Sequence, residues 1–269
     1  MKTITLENPF SGAGAFSVEE TSSTMDEARR LARLGFPTGT IIMADRQTAG
    51  RGRLAGRAWN SAAGESLLAT VILGREAANL AGFPIRVGLA LARALSVYAI
   101  ENGKTLTESP SIKWPNDILI SGKKIAGILC EAAEGRTYVG IGVNLNQRSF
   151  PAELEGLATS LALASGLAEA TSIRRERVLE LILSNLAIVL GETDWKAEAE
   201  ARLWSLGTEL TFIAGRPEDG QRIYGSLVGI DETGSLLILR KDAEKPEAFA
   251  AGELSIEKAI PKNVDGVPS

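Results

Sequence analysis

The sequence predicts an α+β fold that ends in a small β-barrel, and three observations predict it. Strand patterns between Ser111 and Val143 follow one another directly, with helical patterns set apart, which is the order of an α+β chain rather than a doubly wound α/β one. Residues 153–205 are mostly helical in pattern. After Gly207 the texture changes to short alternating strands, broken by Pro217-Glu218-Asp219-Gly220 and Asp231-Glu232-Thr233-Gly234. That spacing suits a small barrel. A boundary falls near residue 206, giving a first domain over 1–206 and a second over 207–269 with a loose tail after Lys262.

Taken in order, the first residues form a strand or arm leading to Ser22-Ser23-Thr24. Thr24 and Glu27 have the spacing of a capping box, and Met25, Ala28, Leu31 and Ala32 share one face of the helix that follows. Gly35-Phe36-Pro37 stops it. Thr40 to Ala44 is a short apolar strand that delivers the chain into a Gly-Arg loop, and Leu67 to Leu73 reads as a buried strand. Ile85 to Ile100 carries the apolar spacing of a core helix. Ile118-Leu119-Ile120, a Ser121-Gly122 turn and Lys123 to Glu131 form a hairpin, continued by a strand from Arg136 to Val143. Ile173 through Leu190 is expected to be the longest helix, with Asp194 capping another that ends near Trp204.

Bulk properties exclude several chemistries. The chain has 269 residues, 45% apolar and 23% charged, with a net charge of −4, so its overall charge offers no argument for nucleic acid. It has no histidine and one cysteine, Cys130, which excludes an ordinary zinc site, a Ser-His or Cys-His pair and an internal disulfide. The N-terminus lacks the layout of a signal peptide, and no uninterrupted apolar run approaches the roughly 18 residues of a membrane span. A cytoplasmic protein is expected, with no membrane partner.

The chemistry concentrates in three places. From Asp45 to Trp59, three glycines and four arginines share fifteen positions. Glycine permits close backbone approach to a ligand, and arginine offers a permanently charged fork suited to phosphate. The block Lys113-Trp114-Pro115-Asn116-Asp117 places an amide and a carboxylate at the mouth of a strand, rigidly aimed because proline restricts Trp114 to an extended conformation. Asp117 there could hold Mg²⁺ on a phosphate or take a proton from an amine nucleophile. Lys124 heads a strand in which Gly127 marks a close approach to the backbone. Alternation sends Lys123 and Lys124 to opposite faces, so only one can serve a site. Gly140-Ile141-Gly142-Val143-Asn144 clears space beside a ligand in the same way.

Together, Ser23-Thr24, Gln47-Thr48-Ala49-Gly50-Arg51-Gly52-Arg53, Lys113-Trp114-Pro115-Asn116-Asp117, Lys124-Ile125-Ala126-Gly127-Ile128-Leu129 and Gly140-Ile141-Gly142-Val143-Asn144 resemble the biotin protein ligases. The likeness is to the catalytic and C-terminal parts of the bacterial biotin–[acetyl-CoA-carboxylase] ligase family and covers about residues 18–256. It implies a mixed sheet flanked by helices, akin to class II aminoacyl-tRNA synthetases, followed by an SH3-like barrel. It implies two steps: biotin attacks the α-phosphate of ATP to give biotinyl-5′-AMP, and a lysine of the biotin carboxyl carrier protein then displaces AMP.

By the same resemblance, Ser23, Thr24, Met25 and Gln47 hold biotin, while Arg51, Gly52 and Arg53 close over biotin and phosphate. Lys124 contacts the carboxylate and α-phosphate, and with Arg53 and Asp117 forms the catalytic set. Arg53, Arg57, Trp59, Asn116 and Asn144 face the nucleotide, and Mg²⁺ is expected with ATP without assigned ligands. The resemblance leaves a monomer or a homodimer open. The chain departs from the family pattern in carrying Leu54-Ala55 between Arg53 and Gly56, in Met25 where asparagine is common, and in beginning without a helix-turn-helix. That last feature implies no DNA-binding repressor domain. Lipoate or octanoate is the alternative substrate, and a non-catalytic homologue the alternative role. A nucleic-acid module fits poorly, because no aromatic residue interrupts Arg46–Arg57 to stack on bases.

Overall fold

The computed structural model describes residues 1–10, 13–53, 59, 61–168, 171–215 and 219–255. The chain forms two compact units, Met1–Trp204 and Ser205–Ser269. The first contains β1 (Lys2–Ile4), β2 (Ala15–Thr21), α1 (Thr24–Arg33), β3 (Ile41–Gln47), β4 (Ser66–Gly74), α2 (Phe83–Glu101), β5 (Ser111–Lys113), β6 (Asp117–Ile120), β7 (Lys123–Ala133), β8 (Arg136–Asn144), α3 (Leu161–Ala164), α4 (Arg175–Gly191) and α5 (Trp195–Ala201). Its strands join one sheet in the order β1-β2-β3-β4-β8-β7-β6-β5. Strands β2 and β3 run parallel and the other neighbours antiparallel, so the sheet is mixed, as the family resemblance implies.

Helices cover both faces. Met25, Ala28 and Leu31 of α1 pack on Ile42, Ile72 and Tyr138, which lie on one face of β3, β4 and β8. On the other face α2 packs against α4 and α5 and over β5 to β7. Strand β4 is covered on both sides, which explains why Leu67 to Leu73 is almost continuously apolar. Helix α2 has the length and composition to cross a bilayer, yet most of it is buried in this core.

Three expectations are corrected here. The cap of α1 is Ser23, whose hydroxyl accepts from Met25 N at 3.2 Å; Thr24 is already helical and Glu27 turns to Arg30. The longest described helix is α2 with 19 residues, not the later α4 with 17. Pro84 falls in the first turn of α2, where its missing N–H costs nothing, so the helix begins before the apolar periodicity shows it. Finally, Asp194 precedes α5 but makes no capping hydrogen bond through its side chain.

The second unit contains β9 (Glu209–Ala214), β10 (Gln221–Ile230), β11 (Leu236–Leu239), β12 (Glu247–Phe249) and β13 (Gly252–Ser255). They form one antiparallel sheet in the order β12-β11-β10-β9-β13. Phe212, Ile223, Leu227, Ile230, Leu236, Ile238 and Leu254 fill its core. The sheet curls enough to bring Phe249 of β12 within 4.8 Å of Phe212 of β9, centroid to centroid.

Candidate active site

The site is built on the face of the sheet that carries α1. Gly127 of β7 and Gly142 of β8 are direct cross-strand partners, so two adjacent strands lack side chains at one spot. The close approach expected there is made by Trp59. A Cβ on Gly142 would lie 2.9 Å from the Trp59 indole, and one on Gly127 would lie 3.2 Å from it. The indole therefore lies on a glycine floor. Its N–H is out of solvent and has no acceptor among the described residues. Gly140, two residues back on the same face, is covered by Met25, whose Cε would be 3.0 Å from a Cβ there. Met25 is 2% exposed and belongs to the core under α1 as well as to the edge of the floor.

At one end of the floor lies an uncharged polar cluster. Gln47 Oε1 accepts from Thr24 N at 2.7 Å and from Thr24 Oγ1 at 3.0 Å. Thr70 Oγ1 donates to Thr24 Oγ1 at 2.9 Å. Thr70 was not singled out in the sequence, although a threonine in the apolar run of β4 was a usable signal. Ser23 is buried and committed to its cap. Loss of that cap in Ser23→Ala is expected to lower unfolding free energy by about 0.5–2 kcal/mol in thermal or urea melts.

At the other end the groups are charged. Strict alternation would put Lys123 on the Gly127 face, but a β-bulge intervenes. Ile118 pairs with Ala126 while Leu119 pairs with Lys124, so β7 carries one extra residue. The bulge turns Lys124 onto the face of Asp117 and Gly127, as bulges beside active sites commonly do. Lys124 Nζ is 2.7 Å from Asp117 Oδ1, 3.4 Å from the Cβ site of Gly127 and 5.9 Å from the Trp59 ring centroid. Lys123 points to solvent. The Gly-Arg loop leaves and returns beside this floor, for Trp59 N donates to Gly50 O at 3.1 Å. Gly50 has no room for a side chain, because a Cβ would lie 2.7 Å from Trp59 O. Arg51 is held by Asp26 of α1 at 2.6 Å, a partner the sequence reading did not name. Gly52 and the exposed Arg53 follow at the loop's entrance. Arg57 and the Leu54-Ala55 departure lie outside the described residues.

Asn116 and Asn144 are engaged by backbone. Asn116 Nδ2 donates to Ile128 O at 3.0 Å, and Asn116 O accepts from Ile128 N. Asn144 is 7% exposed and its Nδ2 donates to Thr159 O at 3.1 Å. Trp114 is buried, and its bond to Pro115 is cis. The segment after β8 returns past β7: Lys124 N donates to Leu157 O at 2.8 Å and Thr159 N to Lys124 O at 2.9 Å. No sequence signal marked this strap, since its contacts are backbone bonds.

The Thr24–Gln47–Thr70 cluster, the glycine floor under Trp59 and the Lys124–Asp117 pair thus lie on one face of the sheet. Such a layout suits a ligase that activates an elongated acid. The biotin/lipoate A/B protein ligase family model matches residues 17–147, the span that supplies the whole floor. The bifunctional ligase/repressor BirA of Bacillus spizizenii is 39% identical over 237 residues, covering 83% of this chain and 69% of that protein. The biotin–[acetyl-CoA-carboxylase] ligase of Mycobacterium tuberculosis is 30% identical, covering 82% of this chain and 81% of its own length. Among solved structures, the biotin protein ligase from Aquifex aeolicus in complex with biotin and ATP superposes with a TM-score of 0.75 at 32% identity, over 90% of this chain and 97% of that one. The chain belongs to the biotin/lipoate A/B protein ligase family.

Proposed function

We propose that this chain is a biotin–[acetyl-CoA-carboxylase] ligase, which condenses biotin with ATP and passes biotin to a lysine of a biotin carboxyl carrier protein. The observation that carries the reading is the Gly127–Gly142 floor, running between the Thr24–Gln47–Thr70 cluster and the Lys124–Asp117 pair. A ureido ring has N–H donors and a carbonyl acceptor that suit hydroxyl and amide partners. The glycine floor seats the Trp59 indole, an apolar ring against which an aliphatic tail can lie. Lipoate and octanoate offer no such polar groups at that end, so they would gain no hydrogen bonds from the cluster.

In the first step a biotin carboxylate oxygen attacks the α-phosphorus of ATP and pyrophosphate leaves. Two anions must approach each other, and Lys124, Arg51 and Arg53 supply fixed positive charge where more negative charge develops. Lys124 and Arg51 are paired with Asp117 and Asp26 in this structure, so the anions compete with carboxylates for them. In the second step the carrier lysine attacks the acyl carbon and AMP departs, with Asp117 as the acceptor for the amine proton. Trp59, whose buried indole N–H has no acceptor among the described residues, is the residue we assign to the nucleotide. Asn116 and Asn144 hold the strands on which the reacting groups stand.

Mg²⁺ enters with ATP. Among the described residues no group of three His, Cys, Asp or Glu converges on a metal position. Asp117, beside Lys124, is the carboxylate that would hold it, the metal neutralising phosphate charge. The second unit is read as the family's SH3-like barrel. A single cysteine fits a reducing, cytoplasmic setting.

The test is pyrophosphate exchange into ATP with biotin, lipoate or octanoate. Exchange with biotin alone is the expected result. Exchange with lipoate or octanoate instead would replace the substrate, and none with any acid from folded protein would overturn the activity.

A further inference from the structure

Gln147 is 5% exposed, lies just past the end of β8 on the side of the floor, and has no part in the proposed reaction. Its Nε2 donates to Ser66 Oγ at 2.7 Å and to Asn144 Oδ1 at 3.2 Å. Asn144 Nδ2 donates in turn to Thr159 O at 3.1 Å. A backbone carbonyl only accepts, so Asn144 must offer nitrogen to Thr159 and oxygen to Gln147, which must then offer nitrogen back. One carbonyl thus sets the polarity of the whole chain of bonds. The return is closed by Ser160 Oγ, which donates to Gln147 O at 2.6 Å.

The far end of this chain reaches Lys124. Leu157 and Thr159 bond the backbone of Lys124 on both sides, forming an isolated parallel bridge through Ala158. Lys124 sits at the bulge of β7, where regular pairing with β6 is interrupted. The strap supplies backbone bonds where the regular ladder is disturbed. Gln147 Oε1, by contrast, is buried with no partner among the described residues. A side chain kept only to fill space would not favour such an orphan.

We infer that Gln147 is a positioning residue for Lys124: through Asn144 and the Leu157–Thr159 strap it holds the Lys124 backbone in place, and with it the ammonium over the floor. The inference rests on the adenylation reading for the role of Lys124. Gln147→Glu, nearly the same shape, cannot donate to Asn144; Gln147→Met, similar in volume, serves if the charged variant does not fold.

Two measurements on the full chain test it. Hydrogen exchange should show the Lys124 and Thr159 amides opening about 10-fold faster in the variant, with Val139 in the β7–β8 ladder unchanged. Biotin-dependent pyrophosphate exchange should lose about 10- to 100-fold in kcat, while KM for biotin moves by less than about threefold. Combined with Lys124→Ala, the change should cost nothing more, because both remove one positioned group. Wild-type exchange at those two amides, uniform loosening of the sheet, or losses that multiply with Lys124→Ala would each overturn the inference. Wild-type protein inactive with biotin would sink the substrate reading alone, and the amide rates would still uphold or overturn the strap.

Discussion

Replacing Lys124 with alanine is expected to lower kcat for biotin-dependent adenylation by about 100- to 1,000-fold, the loss typical when one fixed stabiliser of developing charge is removed. The reason is geometric. A bulge aims this one ammonium at the floor, 2.7 Å from Asp117, and its neighbour Lys123 faces solvent and cannot replace it. The fold should survive, because the Lys124 side chain is 40% exposed and its backbone bonds to Leu157 and Thr159 remain. Pyrophosphate exchange and a thermal melt on the same preparation check both halves. Wild-type turnover from the variant would remove Lys124 from the mechanism. Turnover lost together with the melt would mean a role in stability instead.

The second large effect is expected at Gly142. Valine suits an extended backbone, so Gly142→Val should still pair in β8. Its Cβ, however, would lie 2.9 Å from the Trp59 indole and its methyl groups would cover the floor beyond. Overpacking of this kind costs about 1–3 kcal/mol, which expressed as binding is about 5- to 150-fold in Kd. Calorimetric titration with biotin and with ATP is the measurement. Unchanged affinity for both would show that the ligands do not use this floor. The equivalent change at Ile141, whose side chain faces away from the floor, is the control.

Much of the fold was legible in the sequence. The Ser121-Gly122 turn was readable as a hairpin because a Ser-Gly pair between two strand patterns marks a turn; both residues take positive φ, 51° and 71°. Periodicity located the helices and strands but not their ends: Pro84 hid the first turn of α2, and Thr24 looked like a cap that Ser23 provides. Of the candidate site, Lys124 and Asp117 were singled out by residue type and pattern, and the structure brings them to 2.7 Å of each other. The site was not legible where the function of a residue depends on what lies opposite it. Thr70, Asp26 and Gln147 are ordinary in their local sequence, and their partners are 46, 25 and 81 residues away.

By itself, then, the sequence determined the α+β class, the absence of histidine and disulfide chemistry, and the motif series that places the chain in its family. The tertiary structure alone decided three further things. It set the register that puts Gly127 opposite Gly142, the bulge that chooses Lys124 over Lys123, and the strap that bonds the backbone of Lys124. The physical reason is that alternation along a strand is local, whereas register, bulges and cross-chain backbone bonds are set by which strands meet.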